Sequence, residues 1–366
     1  MHLTLYRKYR PQNFDEVIGQ EHITKTLFNQ VKNNKISHAY LFSGSRGTGK
    51  TSTARIFAKA INCESGGDKL PCGECETCKA LSSPTNLDII EIDAASNNKV
   101  DEVREIRDKI NFLPTAGKYK VYIIDEVHML TESAFNALLK TLEEPPQHVV
   151  FILGTTEIHK LPATILSRCL KFDFKLVSNE ELKAHLKNIF AKENIMYDDK
   201  AIDVIVSAAE GSVRDMLSIA DSVVSFSDGN VTYENALKII GTSETKALVD
   251  FTKKIIEKNI GASLEEIDNV VKSGKNISVF SKEVTVHFRN MLLIKNTSKA
   301  KDILNLPEED FNLIKEESLL ESNENLMEYI KIFSEIEAEL KYSLSPKTLV
   351  EVATIKCISG DEKKNE

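Results

Sequence analysis

The sequence predicts an α/β phosphate-loop domain on a five-stranded, mostly parallel sheet, with a cysteine module set into it and all-helical segments after it. Three observations carry this. The run Gly44-Ser45-Arg46-Gly47-Thr48-Gly49-Lys50-Thr51 fits G-x-x-x-x-G-K-[ST]. Short apolar runs alternate with helical patterns as far as Phe174, as in a parallel sheet covered on both faces. Beyond Phe174 the strand signals end and helical periodicity takes over.

In chain order, Ala39-Tyr40-Leu41-Phe42 is the strand that enters the loop, and Ser52 to Ile61 is the helix that leaves it. That context lets successive backbone N–H groups turn in around phosphates, with the helix N-terminus adding its partial positive charge. Lys50 is placed to reach the β/γ-phosphates and Thr51 a magnesium ion. Further strands are expected at Asp88–Ile92, Val121–Ile124, Val149–Leu153 and Leu170–Phe174. Between them, helices are expected over Asp101–Asn111 and Thr131–Glu144. The second repeats Phe135, Leu138, Leu139 and Leu142 at helical spacing, opens on a Thr131 cap and is stopped by Pro145-Pro146. After the sheet, Ser178–Glu193, Asp198–Glu210, Val213–Phe226 and Thr232–Gly241 read as helices, with a joint at Thr242-Ser243. In the last 120 or so residues, Leu326, Ile330, Phe333, Ile336 and Leu340 form one apolar stripe, read as internal core over a partner-facing seam. Residues 360 to 366 read as a frayed polar end.

Behind the phosphate loop, Cys63, Cys72, Cys75 and Cys78 are spaced C-x8-C-x2-C-x2-C. Four thiols in a short loop suit tetrahedral zinc, and a set closed by four thiolates leaves no open position for substrate, which makes the ion structural. A disulfide knot is the alternative, favoured only in an oxidising compartment. Cys169 and Cys357 stand alone and read as small buried apolar residues.

At 366 residues, with 42% hydrophobic and 28% charged side chains, the chain suits a soluble protein of two or three domains. Residues 1 to 20 hold no apolar core long enough for a signal peptide, and no later stretch approaches a membrane span, so a cytoplasmic location is expected. The formal charge of -8 conceals an asymmetry. Residues 1 to 60 carry ten Lys/Arg against three acids, a basic end that suits a nucleotide, nucleic acid or an acidic neighbour. Residues 243 to 366 carry 18 against 23, a balance that suits protein rather than phosphate-backbone partners.

The run Val121-Tyr122-Ile123-Ile124-Asp125-Glu126 is a buried strand ending in two acids. At the C-terminal edge of a parallel strand they would stand beside the phosphate loop, Asp125 in the magnesium shell and Glu126 orienting or deprotonating the attacking water. Thr155-Thr156, past the next strand, could bring a hydroxyl to the same place.

In their order these motifs resemble the AAA+ ATPases, and within them the gamma/tau clamp-loader family of bacterial DNA polymerase III. The resemblance is carried by Tyr9-Arg10-Pro11, Phe14-Asp15-Glu16-Val17-Ile18-Gly19-Gln20, the phosphate loop, the cysteine module, Asp93-Ala94-Ala95-Ser96, Asp125-Glu126-Val127-His128, Leu138 to Pro146, Ser167-Arg168-Cys169 and Gly211-Ser212-Val213-Arg214-Asp215. It is dense over residues 1 to 215 and sparser through residue 366. It implies an AAA+ domain over residues 1–176 with the zinc module at 62–80, a helical lid over 177–242 and a helical oligomerisation collar over 243–366. It implies that Tyr9, Arg10, Pro11, Val17 and Ile18 form the adenine-side wall, Thr155 the first sensor and Arg214 a second sensor reaching the γ-phosphate of its own subunit. Arg168 would be an arginine finger supplied in trans. The implied cofactors are ATP with Mg2+ and a structural Zn2+. The implied partners are the other subunits of a hetero-pentamer joined through the collar, the sliding clamp, and primer-template DNA gripped without sequence preference, with no membrane involved. Lys99, Arg104 and Arg107, after Asp93-Ala94-Ala95-Ser96, are candidates for the DNA-facing surface, or simply a solvated helix face. Two other readings stay open: a non-hydrolysing scaffold subunit of the same fold, against which the complete phosphate loop counts, and a DNA-junction helicase or other remodeller.

Overall fold

Apolar runs whose successive residues are buried on opposite faces build the centre of the sheet. In the computed structural model, which describes residues 3–67, 69–83, 85–96, 110–240, 245–304, 306 and 308–360, the strands are β1 (Ala39–Gly44), β2 (Ile89–Asp93), β3 (Lys120–Asp125), β4 (Val149–Thr155) and β5 (Leu170–Phe174). They lie in the order β2-β3-β4-β1-β5, every pair parallel. Tyr40, Phe42, Val121, Ile123, Val150 and Ile152 point to one face. Ala39, Leu41, Tyr122, Ile124, Phe151 and Leu153 point to the other, as a period of two requires. Both faces are apolar because both are covered. Helix α1 is the single turn Leu5–Lys8, and α2 (Glu21–Lys32) and α3 (Lys50–Ala60) close the first face through Ile23, Leu27, Ile56 and Phe57. After α4 (Glu76–Leu81), within the cysteine module, α5 (Glu132–Glu143) closes the second face through Phe135, Leu138 and Leu142. The Thr131 hydroxyl accepts the Ala134 N–H at 3.3 Å, the cap expected of it. The helix expected over Asp101–Asn111 lies, but for its last two residues, outside the described ones.

Because β4 lies between β1 and β3, its C-terminal Thr155 emerges between the phosphate loop and the Asp125-Glu126 pair, with Ser43 in register with Thr155. The short helix α6 (Ala163–Leu166) then leads into β5. Beyond it come α7 (Asn179–Glu193), α8 (Asp199–Ala208) and α9 (Val213–Phe226). A reciprocal capping box starts α7: the Ser178 hydroxyl accepts from the Glu181 N–H, and the Glu181 carboxylate accepts from the Ser178 N–H. One expectation is corrected here. Strand signals were expected to end at Phe174, but β6 (Met196–Tyr197) pairs in parallel with β7 (Asn230–Val231). Two residues per strand are too few to show any period, so the sequence carries no trace of this ladder.

The chain divides into two compact units, residues 1–233 and 234–366. Helix α10 (Tyr233–Ile240) spans that division. The second unit is helical: α11 (Thr245–Ile256), α12 (Ile260–Lys272), α13 (Ile277–Asn296), α14 (Ala300–Leu304), α15 (Glu308–Ser318), α16 (Asn323–Leu340) and α17 (Pro346–Ser359). Its core centres on α13 against α16, with the Phe288 ring 5.2 Å from Tyr329 and 6.2 Å from Phe333. Leu326, Phe333 and Leu340 are buried, and Ile330 and Ile336 pack on the same core, so the apolar stripe of α16 is internal. Inside this core Glu317 accepts from Thr252 Oγ1 at 2.5 Å and lies 2.6 Å from His287 Nε2, so its buried carboxylate is bonded at both oxygens.

A buried carboxylate also fixes the first unit near its cysteine module. Asp88 accepts the N–H groups of Thr115, Ala116 and Gly117 and the Thr115 hydroxyl. Burial alone would push its pKa up, but these donors outweigh that and hold it below the usual carboxylate range. A carboxyl depressed in the folded state stabilises above its unfolded pKa, and that stability fades as pH falls through the lower folded value. Asp88→Ala, which strands three backbone N–H groups and the Thr115 hydroxyl, is expected to cost roughly 3 kcal/mol at neutral pH. Melts of both proteins between pH 7 and pH 3 check this, since the gap between them should narrow only below about pH 4.

Candidate active site

Strand β1 ends where the chain needs a conformation that L side chains rarely adopt. Gly47 has φ +76°, and Gly49, at φ +101°, delivers the chain into α3. A Cβ on Gly47 would also lie 1.9 Å from the Ser212 hydroxyl, which caps α9, so the loop and the start of α9 touch where only a glycine fits. The Arg214 N–H approaches the Gly47 carbonyl at 3.4 Å. Gly47→Ala is expected to weaken ATP binding by about tenfold or more, through backbone strain and displacement of Ser212, and to lower the melting temperature by a few degrees; titration with a fluorescent nucleotide and a thermal melt read the two effects.

The loop opens into a cavity of about 680 Å³, a size that suits a nucleotide. Of the eight loop residues, Arg46, Gly47, Thr48, Gly49, Lys50 and Thr51 line it. Gly44 and Ser45 stand behind, their carbonyls each accepting a 2.8 Å hydrogen bond from Lys50 Nζ. Burial lowers the Lys50 pKa against the pull of Glu126 and Asp125. Tyr9, Arg10, Pro11, Val17 and Ile18, the five residues expected on the adenine side, also line the cavity. Tyr9 donates to the Glu193 carboxylate, and Arg10 Nε donates to Ser52 Oγ at 3.2 Å. Burial, aided by Glu193, pushes the Tyr9 phenol up to about 12.

Asp125 and Glu126 line the same cavity. Thr51 Oγ1 donates to Asp125 Oδ2 at 2.6 Å, so hydroxyl and carboxylate, the hard oxygens that suit Mg2+, meet at the loop's exit. Glu126, in the left-handed region at φ +48°, is turned off the strand, and its Oε2 accepts from Thr156 Oγ1 at 3.1 Å. Thr155 is fully buried behind this layer. Its hydroxyl lies 3.0 Å from His128 Nδ1 and accepts the Glu157 N–H at 3.0 Å, and it does not line the cavity.

Two arginines divide sharply. Arg214 lines the cavity, with its guanidinium carbon 5.4 Å from the centre of the Tyr6 ring. Arg168 does not. It sits between α6 and β5, donating to Glu143 Oε1 at 2.7 Å and to the Thr164 carbonyl at 2.8 Å. Tyr6, His185 and Leu217 also line the cavity, and the sequence reading missed them. Leu217 had a signal, since it follows Arg214 by three residues and shares its helix face. Tyr6 and His185 had none, because they reach the site only through the packing of α1 and α7. Lys99, Arg104 and Arg107 lie outside the described residues.

The four thiols of the module come together. The Sγ atoms of Cys63, Cys72, Cys75 and Cys78 all lie within 4.8 Å of one another, and none is in a disulfide. Ligands at 2.3 Å around a tetrahedral ion stand about 3.8 Å apart, close to the 3.9 Å between Cys72 and Cys78. Backbone N–H groups point at the sulfurs, from Cys72 to Cys63, from Glu74 and Cys75 to Cys72, and from Cys78 to Cys75. The N–H groups of Cys75 and Glu74 hold the Cys72 thiol down at about 6, whereas burial pushes Cys78 up. Donors aimed at sulfur favour thiolate, the form a zinc site needs, so the residues fit the ion.

Three family models match in succession. Residues 19–178 match DNA polymerase III, delta subunit; residues 181–229 match the DNA polymerase III clamp loader subunit, ATPase lid domain; and residues 231–365 match DNA polymerase III subunits gamma and tau domain III. DNA polymerase III subunit gamma of Buchnera aphidicola is 39% identical over 358 residues, covering 97% of this chain and 98% of that one. The chain belongs to the DNA polymerase III gamma/tau family of clamp-loader subunits. The tau subunit of Bacillus subtilis is 46% identical over 96% of this gamma/tau chain, which spans 62% of that relative's length. It spans 40% of the Escherichia coli tau subunit. Among solved structures, the Thermotoga maritima RuvB Holliday junction branch migration motor aligns with a TM-score of 0.49 at 22% identity, over 68% of this chain and 80% of that one. The first unit has the expected α/β fold of five parallel strands, and the matches to the ATPase lid domain and to gamma and tau domain III follow it in the chain. No helix among the described residues is long and apolar enough to cross a membrane.

Proposed function

We propose that this chain is an ATP-hydrolysing motor subunit of the DNA polymerase III clamp loader in the cytoplasmic replisome, using ATP to place a sliding clamp on primed DNA. The observation that carries the reading is a complete hydrolytic set around one cavity, Lys50, Thr51, Asp125 and Glu126 with Arg214 at its lid, in a chain of the gamma/tau family. A scaffold subunit needs none of these groups.

The loop amides of residues 46 to 51 cradle the phosphates, and Lys50 leaves its own carbonyls to neutralise the β/γ-oxygens. Thr51 and Asp125 would hold Mg2+, an ion that would supply charge neutralisation to the phosphates. Glu126, steadied by Thr156, takes the proton of the attacking water. Tyr9, Arg10, Pro11, Val17 and Ile18 wall the adenine side. Arg214 senses the γ-phosphate of its own subunit, and Arg168 serves the site of a neighbour. A first-sensor role for Thr155 requires its hydroxyl to leave His128, which makes it a group that acts after a rearrangement of β4's end. We assign residues 1–176 to the AAA+ domain, 177–242 to the lid and 243–366 to a collar that joins a hetero-pentamer. The DNA would be gripped through phosphates, giving salt-dependent and sequence-independent binding. Zinc in the thiolate cluster is structural.

Steady-state ATPase of the chain alone, then with clamp-loader partner subunits, sliding clamp and primer-template DNA, tests the reading, with Lys50→Ala as control. A large rise confined to the complete mixture, and lost in the control, is the expected result. A negligible rate despite ATP binding and assembly would favour a scaffold, and stimulation by DNA without clamp would favour a remodeller.

A further inference from the structure

Arg214 reaches the cavity from the first turn of α9, and a long side chain there has many rotamers in which it would miss a phosphate. The Tyr6 ring limits them. The Arg214 guanidinium carbon lies 5.4 Å from the ring centre, close enough for cation–π attraction. The Tyr6 hydroxyl accepts from Arg7 Nε at 3.0 Å, which restrains the outer end of the ring. Both side chains line the cavity, so the pair faces the place a nucleotide occupies.

The backbone that carries Tyr6 is tied to the lid helices on either side of it. The Leu5 N–H donates to Asp221 Oδ1 at 3.3 Å, and Asp221 is seven residues beyond Arg214, on the same face of α9. Leu5 is buried, Lys8 pairs with Glu193 of α7 at 2.6 Å, and Tyr9 donates to the same carboxylate. Ring and arginine are therefore carried by segments that are bonded to each other.

We propose that Tyr6 is a positioning residue for Arg214, stacking on one face of the guanidinium and leaving its N–H edge turned to the γ-phosphate. An arginine restrained before the ligand arrives loses less side-chain entropy on binding, and this gain is confined to ligands that have a γ-phosphate. The proposal rests on the second-sensor reading of Arg214 given above.

The test measures the affinity of the full chain for ATPγS and for ADP, each with Mg2+, in Tyr6→Ala, Tyr6→Phe, Arg214→Ala and the Tyr6→Ala/Arg214→Ala double variant. Tyr6→Ala is expected to weaken ATPγS binding about threefold to fivefold and leave ADP unchanged. Tyr6→Phe, which keeps the ring, should stay within twofold of the parent, and Tyr6→Ala should add nothing once Arg214 is gone. If ADP and ATPγS weaken equally, Tyr6 contacts the nucleoside part and the proposal fails. Unchanged or tighter ATPγS binding in Tyr6→Ala, beside a clear loss in Arg214→Ala, overturns the positioning role alone. An Arg214→Ala variant that still prefers ATPγS over ADP as the parent does overturns the sensor reading and this proposal together.

Discussion

Arg168→Ala is expected to cut ATP turnover in the assembled clamp loader by on the order of 10³-fold or more, and to leave ATP affinity of the isolated chain unchanged. The geometry separates the two quantities. Every group proposed to bind ATP in this chain, Thr155 excepted, lines one cavity or holds its loop, and Arg168 is absent from that lining. It stands beyond α6 instead, its side chain one-third exposed, held by Glu143 at 2.7 Å and by the Thr164 carbonyl. A half-exposed ion pair of this kind is worth about 1 kcal/mol at most, so a phosphate on a neighbouring subunit can displace Glu143 at little cost. An arginine borrowed from a neighbour makes hydrolysis conditional on correct assembly. Mixed assemblies give the decisive measurement: a chain with Lys50→Ala but intact Arg168 should restore turnover to a chain with Arg168→Ala but an intact loop wherever the two are adjacent in the right order. Turnover within a few-fold of the parent in assemblies built wholly from Arg168→Ala chains would remove the finger role. A parallel fall in ATP affinity of the isolated variant would show that the residue acts on its own site.

What the sequence revealed of this arrangement follows from where its information is local. The loop 44–51, the acids after β3 and the cysteine spacing are contiguous motifs; residues 46–51 line one cavity with Asp125 and Glu126, and the four thiols form one cluster. Strands β1, β3 and β4 were legible because they are buried on both faces and read as apolar runs, whereas the edge strands β2 and β5 are partly exposed and mix apolar with charged residues. The pairing of Met196–Tyr197 with Asn230–Val231 was not, since it depends on two helices bringing distant dipeptides together. The same holds for Tyr6 beneath Arg214, 208 positions apart, and for Thr156 rather than Thr155 reaching Glu126. Thr155 and Thr156 point to opposite sides of β4's end, and neighbouring threonines in a sequence give no clue to which one faces the acid.

Replacing Cys72 and Cys75 together by Ser is expected to abolish stoichiometric zinc binding and lower the melting temperature by roughly 10 °C, with ATP affinity held within a few-fold. The ion's binding free energy is folding free energy for the residues that carry its ligands, and structural zinc contributes up to about 10 kcal/mol or more in small domains. Here much less should be lost, because the module is not held by metal alone. Asn62, adjacent to Cys63, accepts the Lys118 and Tyr119 N–H groups through its Oδ1, and the Thr77 hydroxyl donates to Glu64 and lies 3.3 Å from the Ala116 carbonyl. These bonds attach the module to the segment that Asp88 anchors, so thiol loss should loosen residues between Cys63 and Ser82 while the sheet persists. Nucleotide affinity is shielded by distance along α3, whose first residue is Lys50 at the loop while Cys63 follows its far end. Metal analysis of the purified parent and variant, with limited proteolysis to locate the loosened segment, reads each part separately. A parent chain without zinc would dismiss the metal centre. A tenfold or greater loss of ATP affinity in the variant would mean that the module governs the phosphate loop through α3 and is more than a local brace.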